Sequence, residues 1–368
     1  MLVAPRRFGK TSIMRKIERD LENKGQSCVF LEVENVNSPG GEFITDLVTA
    51  LVECEGASVK ARISSALGRA FALVQENIDE IETPPAFRAK LRSRLRAEFS
   101  DDWHEKAKKV DEIFAGLTGP VCIILDEFPV AIQNMEEDDA RKFLQWFRRL
   151  RQVSPGVRFI VGGSVSIDHV VYHIGGTPPV INDFRRVTIG GFSEDVALSV
   201  VERIFREEGW EYSPDIGWAV LDCVGEPYIP PYFLMIVLSG LKEEVEISGG
   251  GVPSPALVER VYNRRILGSE GRHYFEHYSR RLQTTYSGQE AKAARAILSR
   301  VSLAESLPAG IAYEIFRQST ASESEDAFLA LLAQLNHDFY VTSETPGELR
   351  FYSKMLRDWW RIYYAGTW

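Results

Sequence analysis

A short stretch near the start of the chain, residues 4–11, has the composition and spacing of a loop that binds phosphate. It reads APRRFGKT, with alanine where such a loop has its first glycine. A tight loop followed by a helix N-terminus points backbone N–H groups at the phosphate oxygens of a nucleotide. Gly9 lets the chain approach those oxygens without a Cβ, Lys10 supplies positive charge to the β- and γ-phosphates, and Thr11 offers a hydroxyl to Mg²⁺. The simpler alternative is a chance Gly-Lys-Thr before a surface helix. The candidate phosphate-binding residues are Ala4, Pro5, Arg6, Arg7, Phe8, Gly9, Lys10, Thr11 and Ser12.

Two acidic residues, Asp126 and Glu127, follow an uninterrupted apolar run at residues 120–125. Such a run predicts a buried central strand, and nucleotides sit at the carboxyl edge of an open parallel sheet. Asp126 suits a direct or indirect hold on Mg²⁺, and Glu127 suits the base that orients or activates water. An acidic helix cap after a strand is the simpler alternative. The phosphate-binding pattern upstream favours the catalytic interpretation.

Strands that alternate with helices are predicted to position these groups. Short apolar, β-branched runs predict strands at residues 1–3, 27–33, 120–126, 157–164 and 186–189, with helices between them. This alternation implies a parallel sheet that is covered on both faces. Ser164 ends the fourth of these strands, where it could contact the γ-phosphate or the attacking water, but Gly-Gly-Ser is also ordinary turn chemistry.

Composition bounds the class of protein. The 368 residues are 45% hydrophobic and 26% charged, which is typical of a soluble globular chain of two or three domains. The net charge of -9 argues against a general nucleic-acid binder. No Cys or His spacing is typical of a zinc site, so the thiols are predicted to be reduced. Because neither a signal peptide nor a membrane span is recognisable, a cytoplasmic location is predicted. The four cysteines are Cys28, Cys54, Cys122 and Cys223.

Several segments, taken in order, resemble the archaeal- and bacterial-type ATPases of the STAND class within the wider AAA+ group. The segments are APRRFGKTS at 4–12, CIILDEF at 122–128, FIVGGS at 159–164 and VTIGGFSEDVA at 187–197. The Gly-Glu-Pro at 225–227 resembles the turn of the family's helical lid, in which the proline, here Pro227, packs on adenine. The segment LRFYSKMLRDWW at 349–360 resembles the tail of the family's winged-helix domain.

The resemblance implies an α/β P-loop NTPase fold, a parallel sheet with helices on both faces, followed by a helical lid and a winged-helix domain. The implied domains are 1–190 (ATPase), 191–248 (lid), 249–288 (linker or helical segment) and 289–368 (winged helix). It also implies ATP and Mg²⁺ as ligands and a nucleotide-driven molecular switch. The chain departs from the family at Ala4, at Ser164, where many relatives have an arginine, and in lacking a glycine-arginine segment before the first strand.

The partner of such a switch is predicted from charge. A winged helix that reads DNA carries basic or amide side chains on its third helix. This segment instead carries Glu323, Glu325, Asp326 and Asp338, with no Lys or Arg between Ser322 and Asp338, and carboxylates repel phosphates. A protein partner or self-association is therefore predicted, and DNA is disfavoured. One alternative is a DNA-acting protein that uses the arginines of residues 260–281, and another is a nucleotide-binding scaffold that does not hydrolyse ATP. The aromatic residues of 359–368 suit either an exposed docking surface or a core.

Overall fold

The computed structural model divides the chain into two compact units, Met1–Ile189 and Gly190–Trp368. It describes residues 1–4, 8–34, 41–53, 103–116, 120–163, 167–175, 178–225, 228–250, 252–286, 288–342 and 347–366. The further division of the second unit into lid, linker and winged helix remains a prediction.

The first unit is built on a five-stranded parallel sheet in the order β2-β3-β4-β1-β5. The strand that precedes the phosphate-binding pattern therefore lies between β4 and β5, and β4 separates it from β3. All carboxyl ends share one edge, which brings together groups that are distant in sequence. The strands are β1 (Leu2–Val3), β2 (Ser27–Glu32), β3 (Val121–Asp126), β4 (Val157–Gly163) and β5 (Val187–Thr188).

Helices cover both faces of this sheet. Successive side chains of β3 point to opposite faces. Ile123 and Leu125 therefore join one hydrophobic cluster, with α2 to α6, and Ile124 joins a smaller one against α1. The helices are α1 (Lys10–Asn23), α2 (Gly41–Glu53), α3 (Trp103–Gly116), α4 (Phe128–Gln133), α5 (Glu137–Val153) and α6 (Ile167–His173), followed by a 3₁₀ turn (Pro178–Ile181). The predicted α/β class is confirmed.

The second unit is mainly helical. Its helices are α7 (Glu194–Glu207), α8 (Pro214–Val224), α9 (Pro231–Ile247), α10 (Pro255–Arg260), α11 (Glu276–Thr285), α12 (Gly288–Ser302), α13 (Ala309–Thr320), α14 (Glu325–His337) and α15 (Lys354–Tyr363). A π-helical turn (Val261–Ile266) continues α10, and a 3₁₀ turn (Glu270–Tyr274) precedes α11. An antiparallel sheet in the order β6-β8-β7 is formed by β6 (Leu307–Pro308), β7 (Val341–Thr342) and β8 (Glu348–Phe351).

One hydrophobic core runs through the second unit, from α7 to α15. Trp359 and Trp360 are fully buried in it, and the Trp359 ring stacks on Phe275 with centroids 5.3 Å apart. The tail aromatics at these two positions are therefore core residues and do not form an exposed docking surface. Trp368 lies outside the described residues. Within the described part of the chain, every helix is too short or too polar to cross a membrane.

Candidate phosphate-binding site

The predicted phosphate-binding loop joins β1 to the N-terminus of α1. Ala4 and Phe8 are buried, and Gly9 has φ +78° immediately before the first helical residue, Lys10. A side chain at this φ would be strained, which explains the glycine. The N-cap residue of α1 is Gly9, which has no side chain with which to cap the helix. The backbone N–H groups of a first turn such as this suit an anion, which the helix dipole also favours. Ser12 lies on the exposed first turn.

Lys10 is drawn into the site by both predicted acidic residues. Its side chain is only 6% exposed, and Nζ lies 2.6 Å from Glu127 Oε1 and 3.6 Å from Asp126 Oδ1. A buried ammonium group without a counter-charge would be strongly destabilising, so the two carboxylates hold the lysine in place. The sheet thus brings together residues that are 117 positions apart in sequence.

The Asp126 carboxylate is held in one orientation by two hydrogen bonds. Asp126 ends β3, is 2% exposed, and accepts hydrogen bonds from Thr11 Oγ1 at 2.5 Å and from the Glu127 backbone N–H at 3.0 Å. Each of its oxygens therefore has a partner, and the orientation of the carboxylate is set.

Glu127 lies where the chain turns sharply from β3 into α4. Its φ is +56° and ψ is +32°, in the left-handed region that non-glycine residues rarely adopt. The next helix begins at Phe128 and has a proline in its first turn. The missing N–H of proline costs no hydrogen bond there, because N–H groups of the first turn have no partner within the helix. This strained turn places the Glu127 carboxylate beside Lys10, at the carboxyl edge of the sheet.

The residues present fit a magnesium ion. Thr11 donates its hydroxyl hydrogen to Asp126, so the lone pairs of the same oxygen remain available to a cation. Carboxylate and hydroxyl oxygens are the hard ligands that Mg²⁺ takes, together with water and phosphate oxygens. Among the described residues, no group of three or more His, Cys, Asp or Glu side chains could hold a metal by itself.

Two glycines at the end of β4 make room for these groups. A Cβ on Gly162 would lie 2.2 Å from Met14 Cε and 3.1 Å from Lys10 Cδ. A Cβ on Gly163 would lie 2.3 Å from Pro129 Cδ. Both distances below 3.0 Å are closer than real Cβ contacts, so a side chain at either position forces a neighbour to move.

Solved structures with a similar fold cover almost the whole chain. The Walker-type ATPase PABY2304 of Pyrococcus abyssi matches with TM-score 0.63 and 14% identity over 98% of this chain and 90% of the other. The ORC2 protein of Aeropyrum pernix, solved as ADPNP-ADP complexes, matches with TM-score 0.56 and 13% identity over 98% of this chain and 86% of the other. The chain has the fold of a P-loop ATPase. Comparisons with protein-family profiles and with curated proteins each give no match.

Within this P-loop ATPase fold, four of the predicted site residues meet at one edge of the sheet: Lys10, Thr11, Asp126 and Glu127. The predicted contributions of Pro5, Arg6, Arg7, Ser164 and Pro227 lie outside the described residues. Sequence reasoning overlooked the packing role of the glycines at 162 and 163, which it treated as turn residues. The signal in the sequence was a pair of glycines at the end of an apolar strand, because glycine within a strand often marks the close approach of another group.

Proposed function

We propose that this chain binds ATP with Mg²⁺, hydrolyses it, and uses the nucleotide cycle as a molecular switch. The observation that carries the proposal is the meeting of Lys10 and Thr11 with Asp126 and Glu127 at the carboxyl edge of the sheet. A positive charge, uncapped N–H groups and two carboxylates at one helix N-terminus suit a magnesium-bound polyphosphate.

Each of the four side chains has its own role in the proposed binding and hydrolysis of ATP. Lys10 meets the phosphate charge and, in doing so, leaves Glu127, which is then able to orient or deprotonate the attacking water. Thr11 and Asp126 hold Mg²⁺, directly or through water. When bound, this cation neutralises charge that develops on the phosphate oxygens. The magnitude expected of a positioned general base is about 10²- to 10⁴-fold in rate.

The neighbours in fold support nucleotide binding. PABY2304 is described as a Walker-type ATPase, and ORC2 was solved as ADPNP-ADP complexes. At 13–14% identity these likenesses concern the fold, so the assignment of ATP to this chain depends on its own site residues.

The STAND-class assignment, with a winged-helix domain that contacts protein, is part of the proposal. In the second unit, α12, α13 and α14 precede a β7–β8 hairpin, the element order that a winged helix requires. The exposed positions of α14 carry Leu329, which is 58% exposed, together with the acidic Glu325 and Asp326 and one amide, Asn336. Among the described residues of this helix there is no Lys or Arg to meet phosphates, and the acidic and apolar side chains favour a protein partner or self-association. The exposed apolar residues of α14 are Ala327, Leu329, Ala330 and Ala333.

The arginines of residues 260–281 support the same choice. Most of them face carboxylates of the second unit itself, and Arg281, whose side chain is 12% exposed, lies 2.7 Å from Asp338. Among the described residues, Arg264 and Arg280 are exposed without an ion pair. A DNA-binding role would depend on these two cations, which is a weak basis for phosphate contact.

Calorimetric titration of the full chain with Mg-ATP tests the binding proposal. Lys10→Ala should abolish measurable ATP affinity because it removes the charge that meets the phosphates. Lys16→Ala, on the same helix but 69% exposed and paired with Asp20, should bind like the parent. Equal affinity in Lys10→Ala and the parent, with circular dichroism showing both folded, would refute the phosphate-binding assignment.

Phosphate release separates a switch that hydrolyses ATP from a scaffold that only binds it. We expect steady release by the parent, dependent on Mg²⁺. Tight ATP binding with no release over many hours would favour the scaffold.

A further inference from the structure

Two cysteines stand side by side in the sheet, and the proposed nucleotide chemistry uses neither of them. Cys28 on β2 and Cys122 on β3 are direct partners in the parallel register. Their side chains therefore point to the same face of the sheet, and both pack in the cluster beneath α1. Adjacent strands are about 4.8 Å apart, within the range of Cα separations that disulfides span.

The two thiols are not equivalent. Cys28 is buried, Cys122 is half-buried, and neither is joined in a disulfide in this structure. A hydrogen bond between them raises the pKa of Cys28, and burial and the nearby Glu18 and Glu22 raise it further. The same hydrogen bond lowers the pKa of Cys122, against the effect of its burial. Cys122 is therefore the thiol of the pair that ionises more readily, as expected of an attacking thiolate.

We propose that Cys28 and Cys122 form a reversible oxidation site, at which a peroxide converts the thiol pair into a disulfide between β2 and β3. The Cys122 thiolate attacks hydrogen peroxide, giving a sulfenic acid and hydroxide. The Cys28 thiol then displaces water from that sulfenic acid and forms the sulfur–sulfur bond. The two thiols lose two electrons and two protons, and the peroxide is reduced to two molecules of water.

The position of the pair in the sheet suits this bond. In the described sheet β2 is the edge strand beside β3, so a disulfide at this point would join the edge strand to its neighbour. The strand spacing already matches the Cα separation of a disulfide, so the bond can close between the paired strands.

The proposed disulfide would also affect β3, the strand that carries Asp126 of the candidate site. The disulfide closes a long loop between residues 28 and 122 and ties the edge strand to β3, which ends at Asp126. Cross-linking a loop of this length restricts the unfolded chain and stabilises the folded state. Oxidation is therefore expected to stabilise the first unit against unfolding, and reduction to return it to its initial stability.

The experiment exposes the folded full chain to hydrogen peroxide and maps the cysteines by peptide mass spectrometry without reduction. We expect a cross-linked peptide pair containing Cys28 and Cys122, lost on treatment with dithiothreitol, and a rise in Tm of about 5 °C or more. Cys28→Ser should remove the cross-link and the rise in Tm together. Cys223→Ser is the matched control, because Cys223 is buried in the second unit with its pKa raised to about 12 by burial. It should keep both effects.

Three results would overturn the inference. One is a sulfinic or sulfonic acid at Cys122 with Cys28 left reduced. Another is a cross-link from either residue to Cys54, which lies outside the described residues. The third is a Cys28–Cys122 disulfide that leaves Tm unchanged, since the strands would then not be joined in the folded sheet.

Discussion

At the scale of single residues, the charged side chains of the site form ion pairs with one another. Lys10 satisfies its charge on Glu127 at 2.6 Å, and the same carboxylate is the candidate base. A base held by an ammonium group is poorly placed to take a proton from water. Under the proposed function, we expect phosphate binding to have two linked effects: it would give Lys10 a new partner and release the Glu127 carboxylate from its ion pair.

Glu127→Gln tests this linkage. We expect the variant to keep or strengthen Mg-ATP binding, because Lys10 no longer has to leave a carboxylate, and to hydrolyse ATP at least about a hundredfold more slowly. Single-turnover phosphate release, combined with ATP titration, measures both quantities. Hydrolysis at the parental rate would mean that another residue is the base or that positioning of water suffices. Asp126→Asn is the contrast, since it should instead weaken the dependence on Mg²⁺.

At the scale of secondary structure, the end of β4 sets how closely α1 and α4 approach the sheet. Neither glycine there has space beside it for a Cβ, but the atoms that a Cβ would meet differ between the two positions. Gly162 faces the terminal methyl of Met14, which can rotate away, and Gly163 faces the ring of Pro129, which cannot. The strand thus fixes α4 more rigidly than α1.

Gly163→Ala should therefore destabilise the chain by about 1–3 kcal/mol, the usual cost of overpacking, and Gly162→Ala should cost less. Urea unfolding followed by circular dichroism gives both values. Gly190→Ala is the control, because a Cβ at that position meets nothing within 4 Å and should change stability by about 0.5 kcal/mol or less. A larger loss for Gly162→Ala than for Gly163→Ala would contradict the packing argument.

The sequence predicts those elements whose signal is local. The apolar run before Asp126 predicts a buried strand, because it is short, rich in β-branched residues and apolar without alternation, as in a strand with helices on both faces. The left-handed backbone at Glu127 and the contact between Lys10 and that residue depend on strand order, which no local pattern encodes. The same holds for Trp359 and Trp360, because a tryptophan is equally suited to an interface and to a core.

At the scale of the whole chain, the helices of the second unit share one hydrophobic core, which also contains buried hydrogen-bonded polar groups. The Asp338 carboxylate, which sequence analysis counted among the acidic groups of the third helix, is buried and accepts hydrogen bonds from Arg281 at 2.7 Å and Tyr286 at 2.8 Å. Because its charge is balanced internally, it presents no charge to a partner. Of the acidic groups counted there, Glu323, Glu325 and Asp326 are the exposed ones.

The final prediction concerns duplex DNA. An electrophoretic shift with the full chain at low salt, about 50 mM, should show no complex at micromolar protein, since low salt strengthens every non-specific phosphate contact. The full chain is used because the helices near its end share a core with α7 to α11. A salt-sensitive micromolar complex that is lost in Arg264→Ala/Arg280→Ala would assign DNA to the two exposed arginines. A complex gained only in Ala330→Lys/Ala333→Lys would show that α14 can lie against a duplex and that the parent helix fails to bind for lack of positive charge.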